Sequence, residues 1–312
     1  MENAKFRPLE YVFWACTLLP FLVAPSYLSL ASQIAVTALF ALSLDLILGY
    51  AGIVSLGHAA FFGMGAYTAG LIAKHYWTEP LSGLLVAAVA AGVLGYLLSH
   101  IVVRFRHLAL IMLTMGFGLL LAEAANSASV LTGGADGLQG FRVPGVLGFK
   151  FDMFGRAAYA YALVVLFLCF LVARRIIHSP FGLALRGIRE NATRMPAIGA
   201  PSLAHLRKAY TIAAVMAGIA GAVLTHTTST VSLETLSFGR SADVLVILIL
   251  GGAGRLYGGI IGAIIYMVAR DQFSGVNPQY WYFWIGLLLV AVVMFLPNGI
   301  LGGLSALRKK PQ

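Results

Sequence analysis

His58 lies inside an apolar run and is the residue with most capacity for chemistry in this chain. It is embedded with Ser55, Tyr67 and Thr68 in the stretch Gly49–Gly70, which also holds Gly52, Gly57, Gly63 and Gly65. An ionisable side chain in an apolar span is costly, and it marks either a pathway or an internal polar pair. Both readings stand for His58. The carboxylates in or near apolar runs are Asp45, Glu123, Asp243 and Glu234. They suit a proton or cation relay, or equally hydrogen bonding to helix ends and snorkelling towards water. No two of them share a helix face at i,i+3 or i,i+4 spacing, so neither acid–base nor two-metal chemistry is supported.

Catalytic and nucleotide signatures are missing. There is no Gly-x-x-x-x-Gly-Lys-Ser/Thr loop to cradle ATP phosphates, no His-Glu-x-x-His and no Cys-x-x-Cys. Ile53-Val54-Ser55-Leu56-Gly57 lacks the first glycine of a nucleophile elbow. Cys16 and Cys169 both sit in apolar runs and imply no disulfide framework or metal array. The expectation is a chain that is not an enzyme, with no cofactor and no metal. Any energy for its work comes from an ion gradient or a separate subunit.

The elements that position these residues follow from composition. Of 312 residues, 60% are apolar, 10% are charged and 35 are glycine. Soluble domains carry about 25% charged residues, so this composition excludes a water-covered surface and implies a polytopic, all-α membrane protein. The net charge of +10 does not point to nucleic acid, because the basic residues sit in short clusters between apolar runs. The runs are Tyr11–Leu30, Ala31–Leu48, Ile53–Ala73, Gly83–Val103, Leu108–Ala125, Ala157–Ala173, Ala209–Thr230, Ala242–Leu250, Tyr257–Ala269 and Trp281–Leu296. The eighth and ninth are short and read as broken or re-entrant helices, giving about 8–10 transmembrane helices. The first run, behind Lys5 and Arg7, reads as an uncleaved span rather than a signal peptide.

With ten crossings, 15 of the 21 basic residues fall on one side and 6 on the other. The positive-inside rule makes the first side cytoplasmic, with both termini there. Residues 174–208 then form a cytoplasmic loop, and residues 126–156, containing Thr132-Gly133-Gly134-Ala135-Asp136-Gly137, an external one. Within the cytoplasmic loop, Leu185, Ile188, Ala192 and Met195 predict one apolar stripe on a helix over Gly182–Met195. Arg186, Arg189, Glu190 and Arg194 occupy its polar face. Such a helix either lies on lipid or docks into a partner; the mixed charge favours a protein groove. A possible two-fold repeat is also visible. Leu46-Ile47-Leu48-Gly49-Tyr50-Ala51-Gly52 matches Leu248-Ile249-Leu250-Gly251-Gly252-Ala253-Gly254 at six of seven positions.

Several of these segments resemble a known family. Gly49-Tyr50-Ala51-Gly52-Ile53-Val54-Ser55-Leu56-Gly57-His58-Ala59-Ala60-Phe61-Phe62-Gly63-Met64-Gly65-Ala66-Tyr67 resembles the glycine-rich stretch of branched-chain amino acid ABC transporter permeases. Leu131–Leu138 looks like the external loop of the M-type subunit, and Ser179-Pro180-Phe181-Gly182 with Leu185–Asn191 is similar to that family's cytoplasmic loop. Leu250–Gly254 and Pro297-Asn298-Gly299-Ile300-Leu301 resemble its C-terminal landmarks, and the matches cover roughly residues 30–305 in order. Three departures are clear: Leu119 follows Phe117-Gly118 with Glu123 one turn on, Pro196 interrupts the cytoplasmic helix, and Asn191-Ala192-Thr193-Arg194 replaces an acidic, alanine-rich continuation.

The resemblance implies one transmembrane permease domain over residues 1–312 in a bacterial inner membrane. It implies two cytoplasmic ATP-binding subunits, a second H-type permease and a periplasmic substrate-binding protein as partners, with lipid around the chain and no nucleic acid. Arg186, Ile188, Arg189 and Glu190 would then belong to a coupling helix seated on an ATPase subunit. The substrate pathway is expected along Ser55, His58, Gly57, Gly63, Asp45 and Glu123. Cargo would be branched-chain or related amino acids, or similar small polar solutes. The alternative is a stand-alone secondary transporter or channel using Asp45, His58, Glu123 or Asp243 as ion sites.

Overall fold

An apolar chain must satisfy its backbone internally, and this one does so with helices. The computed structural model describes residues 8–308, apart from 24, 78, 106, 142, 144, 146–154, 198 and 297. Lys5, Arg7, Arg106, Arg142, Lys150, Pro297, Lys309 and Lys310, used above for orientation or as landmarks, lie outside the described residues. The helices are α1 (Pro8–Cys16), α2 (Leu19–Val23), α3 (Leu28–Asp45), α4 (Ala59–His75), α5 (Pro80–Val102), α6 (His107–Ser127), α7 (Ser129–Thr132) and α8 (Arg156–Ile177). There follow α9 (Pro180–Glu190), α10 (Arg194–Ala197), α11 (Ser202–Thr228), α12 (Phe238–Gly251), α13 (Leu256–Val276), α14 (Trp281–Phe295) and α15 (Gly299–Arg308). Extended pairing among the described residues is limited to an antiparallel bridge between Leu138 and Val231.

Among the described residues, six helical segments are long and apolar enough to cross a membrane: Pro25–Tyr50, Pro80–Val102, His107–Ser127, Arg156–Ile177, Ser202–Thr228 and Trp281–Gly303. Counting α12 and α13 as one span, bent by 112° at the break between them, makes seven. This corrects the expected 8–10. The first apolar run is interrupted around Thr17, whose hydroxyl donates to the Trp14 carbonyl at 2.7 Å, so α1 and α2 are both short. The third run becomes helical only at Ala59, which leaves α4 with 17 residues.

The helix α3 is the axis of the molecule. Residues 35–45 are buried all round, and α8, α11, α12 and α13 pack about it. A second layer, α4, α5 and α11, is held by small residues that let backbones approach. A Cβ on Gly221 would fall on the Phe62 carbonyl, and one on Gly65 would fall on Gly218. At the periphery, Leu85, Val89, Val93 and Leu97 of α5, and Phe283, Val290 and Phe295 of α14, stand exposed. Apolar faces of this size belong against lipid or another membrane helix.

Candidate functional site

The chain between α3 and α4 leaves regular helix inside the protein. Leu46–Tyr50 forms a π-helical turn, Gly52 takes φ 74°, and residues 52–58 are irregular until α4 starts. Non-helical backbone at this depth needs partners from elsewhere. It finds them: Ile53 N donates to Ile47 O at 2.9 Å, Leu56 N to Thr114 Oγ1 at 3.3 Å, and Ala59 N to Ser241 Oγ at 2.9 Å. Gly57 is pressed on α6, where a Cβ would coincide with the Thr114 carbonyl.

His58 is fully buried, stacked on Phe40 with ring centroids 5.5 Å apart and edge-on to Phe61. Its Nε2 lies 2.9 Å from Ser43 Oγ, and Ser43 gives its own proton to the Phe40 carbonyl at 2.6 Å. A hydroxyl has one proton to give, so His58 is the donor and its Nδ1 is a bare acceptor. That Nδ1 has no partner among the described residues, and Ser55 is fully buried beside it in sequence.

Two cavities, each of about 310 Å³, lie at opposite ends of the bundle. One opens at the start of α3 and the end of α11, with Gln33, Glu234, Arg240, Arg270 and Asp271 in its lining. Just deeper, Phe40, Asp243 and Tyr266 close it to a crevice of about 10 Å³. The other cavity is bounded by Gly52, Ile53 and Val54, the start of α6, and Ile188 and Arg189 of α9. Phe40 of the crevice stacks on His58, and Ser55 and His58 follow Val54 of the second cavity in sequence; all three are exposed by 2% or less.

At the second end α9 is fastened to the bundle. Ser179 caps it, accepting from Gly182 N at 3.4 Å, and Pro180 opens its first turn. Leu185 and Ile188 are buried, and the Arg186 guanidinium stands 5.2 Å over the Tyr50 ring. Arg189 donates to the Gly49 carbonyl, and its stem covers Gly52. Asp45, 1% exposed, accepts from Gly254 N at 2.6 Å through Oδ1; its Oδ2 is unpartnered among the described residues. Gly299 packs on Gly252, so the glycine landmarks at 49–52, 251–254 and 299 meet at one joint. The two segments matched as a repeat therefore touch, and the equivalent glycines Gly52 and Gly254 have φ of 74° and 79°.

The predicted helix over Gly182–Met195 is shorter than expected. It stops at Glu190, because Asn191 turns extended and its Oδ1 accepts from Thr193 N and Arg194 N, capping α10 instead. Ile188 and Arg189 face the bundle, whereas Leu183, 64% exposed, and Glu190 face away. Of the other expected pathway residues, Gly63 packs on Leu236, and Glu123 is exposed near the far end of α6, apart from His58. In the sequence Arg240 and Arg270 stand out only as two of the basic residues that set orientation. The available signal was Arg240 three residues before Asp243 at the head of an apolar run.

The chain matches the family described as "Branched-chain amino acid transport system / permease component" over residues 26–293. It is 29% identical over 309 residues to the high-affinity branched-chain amino acid transport system permease protein LivM of Escherichia coli (strain K12), covering 90% of this chain and 71% of that protein. The LivM protein of Salmonella typhimurium gives the same figures. A probable branched-chain amino acid transport permease protein LivM of Methanocaldococcus jannaschii is 24% identical over 315 residues, covering 83% of this chain and 88% of that one. No solved structure matches the chain.

Proposed function

The chain belongs to the family of branched-chain amino acid transport permease components, and from that premise we infer how its parts divide the work of an importer. It is a multi-pass inner-membrane permease subunit of an ABC-type branched-chain amino acid importer, a transport protein and not an enzyme. In our reading, two cytoplasmic ATP-binding subunits drive it, a second H-type permease completes the membrane unit, and a periplasmic binding protein delivers the solute. Residues 174–208 face the cytoplasm and residues 126–156 the outside in this reading, which the seven basic residues of the first loop against three in the second favour.

One observation carries the transport mechanism: the non-helical segment 52–58 runs from one cavity to His58, which stacks on Phe40 at the floor of the other. Only one of two such cavities communicates with the centre at a time if Phe40, His58 and Ser55 shift between them, which is the logic of alternating access. Gly57 and Gly63 supply the close contacts across which that wall moves. Asp45, joined to Gly254, ties the movement of α3 to that of the α12–α13 break. Within α9, Ile188 and Arg189 fix the helix to this chain, while Leu183, Arg186 and Glu190 meet the ATP-binding subunit. Contact between the two matched segments supports a two-fold internal repeat about that joint.

The test is a mild-detergent pull-down from native membranes with mass spectrometry. Recovery of P-loop ATPases and a second glycine-rich permease is the expected result. A lone, monodisperse chain that moves branched-chain amino acids along an ion gradient overturns the reading.

A further inference from the structure

The cavity at the start of α3 is lined by charges of both signs. Arg240, Arg270, Glu234 and Asp271 all line it, yet no ion pair or side-chain hydrogen bond joins them among the described residues. Both guanidinia are nevertheless held in place by rings: Arg240 Cζ stands 5.6 Å over Phe62, and Arg270 Cζ 5.1 Å over Trp281. A ring face fixes a guanidinium through its charge and leaves its N–H donors unused. Asp243, on the floor, accepts from Tyr266 Oη at 2.7 Å and adds a further negative charge beside Arg240.

Opposite charges attract across a gap, more strongly as water is excluded; Glu234 is exposed, and Arg240, Arg270 and Asp271 are half-buried. Here about 310 Å³ is kept open between them, at the lower end of the range for small-molecule sites. A solute carrying one charge would gain from one pair and be repelled by the other. A solute carrying both signs satisfies all four groups. The rest of the lining is mixed: Leu30, Leu224 and Met267 are apolar, and Gln33, Ser232, Thr235 and Ser274 are polar.

We propose that this cavity is an α-amino acid subsite of the permease itself, in which Arg240 and Arg270 take the carboxylate, Glu234 and Asp271 the ammonium, and Leu30, Leu224 and Met267 the side chain. The assignment rests on the permease reading and deepens it, since it gives this chain its own selectivity for the zwitterion. Phe40 and Tyr266 make the site a dead end, so the solute waits there until the wall beneath moves.

Two measurements on the reconstituted full transporter test it, with leucine as the probe. Arg240→Gln and Arg270→Gln should each lower leucine uptake at least tenfold, while the complex assembles with its ATP-binding subunits to the parent's yield. Uptake within twofold of the parent in an assembled complex overturns the proposal. The second measurement keeps both arginines: Ser274→Cys, in a Cys16→Ser background, is labelled by a water-soluble thiosulfonate. Leucine should slow labelling several-fold, whereas isopentylamine, lacking the carboxylate, and 4-methylpentanoate, lacking the ammonium, should not at equal concentration. A rate indifferent to leucine, or equal protection by either truncated analogue, overturns it. A parent transporter that hydrolyses ATP but moves no leucine instead overturns the branched-chain importer reading, and the labelling result then stands by itself.

Discussion

The two ends of α3 use the same residue types for opposite purposes. At its C-terminal end, Asp45 and Arg189 give their charge to backbone groups, the Gly254 N–H and the Gly49 carbonyl. The glycines there pack so closely that a Cβ on Gly49 would land on the Asp45 carboxylate and the Gly254 backbone. At the other end, about 24 Å away from Gln33 to Gly49 at roughly 1.5 Å per residue, Arg240 and Arg270 meet rings and open space. A buried charge therefore announces a role only through its partner. Where the partner is backbone, the group is a joint; where the partner is a cavity, the group is poised for a solute.

The largest effect that could break this contrast is at the joint. Gly49→Val should destabilise the chain by about 3 kcal/mol, because the neighbours it strikes are backbone and a held carboxylate rather than a flexible side-chain end. Thermal unfolding in mild detergent checks it, and a melting temperature equal to the parent's would show that the joint is loose. Gly57→Leu with Gly63→Leu should abolish transport. Gly57 should dominate the pair, since Gly57 meets the Thr114 backbone but Gly63 meets mainly the Leu236 side chain. Normal uptake by the double variant would remove the glycine-rich stretch from the pathway.

Next in size is the carboxylate within the joint. Asp45→Ala strips the acceptor from a buried N–H and should cost about 1–3 kcal/mol, whereas Asp45→Asn keeps an acceptor and should stay within about 1 kcal/mol of the parent. Equal losses for both would mean that the charge, not the hydrogen bond, is what the joint needs. The two faces of α9 sharpen the contrast further. Arg189→Glu should weaken both the fold and coupling, because its guanidinium is bound to the Gly49 carbonyl. Glu190→Arg, on the outward face, should lower only recruitment of the ATP-binding subunit. Pull-down yield and uptake, measured against thermal stability, separate these outcomes.

Local chemistry made part of this legible in the sequence. Ser179-Pro180 announces the start of α9, and the glycine spacing from Gly49 to Gly65 announces close packing around an irregular break. The end of α9 was hidden because Asn191 reads as a passable helix residue, and only its own side chain's choice to cap Thr193 and Arg194 stops the helix. The apolar stripe continued through Ala192 and Met195, but periodicity cannot see a cap of this kind. The spans were overcounted for a related reason: an apolar run records hydrophobicity and not where the hydrogen-bond ladder breaks. The cavity was hidden more deeply. Arg240 and Arg270 lie 30 residues apart on two helices bent by 112°, and nothing in either local sequence brings them together.

The smallest effect lies midway between the two ends, and it decides whether the wall at His58 behaves as joint or as cavity. The first N–H of α4 is held by Ser241 of α12, and the Leu56 N–H by Thr114 of α6. Each hydroxyl replaces an intrahelical acceptor, as a helix cap does, so Ser241→Ala and Thr114→Val should each cost about 1 kcal/mol. Both bonds hold the same short segment, residues 56–59. If that segment is one rigid piece of the joint, losing the first bond frees it and the second variant adds less than its separate cost. A double-mutant cycle of unfolding then shows coupling of roughly 0.5 kcal/mol or more. Additivity instead would mean that the segment moves residue by residue, in which case His58 could swing clear of Phe40 while the joint at Gly49 stays closed.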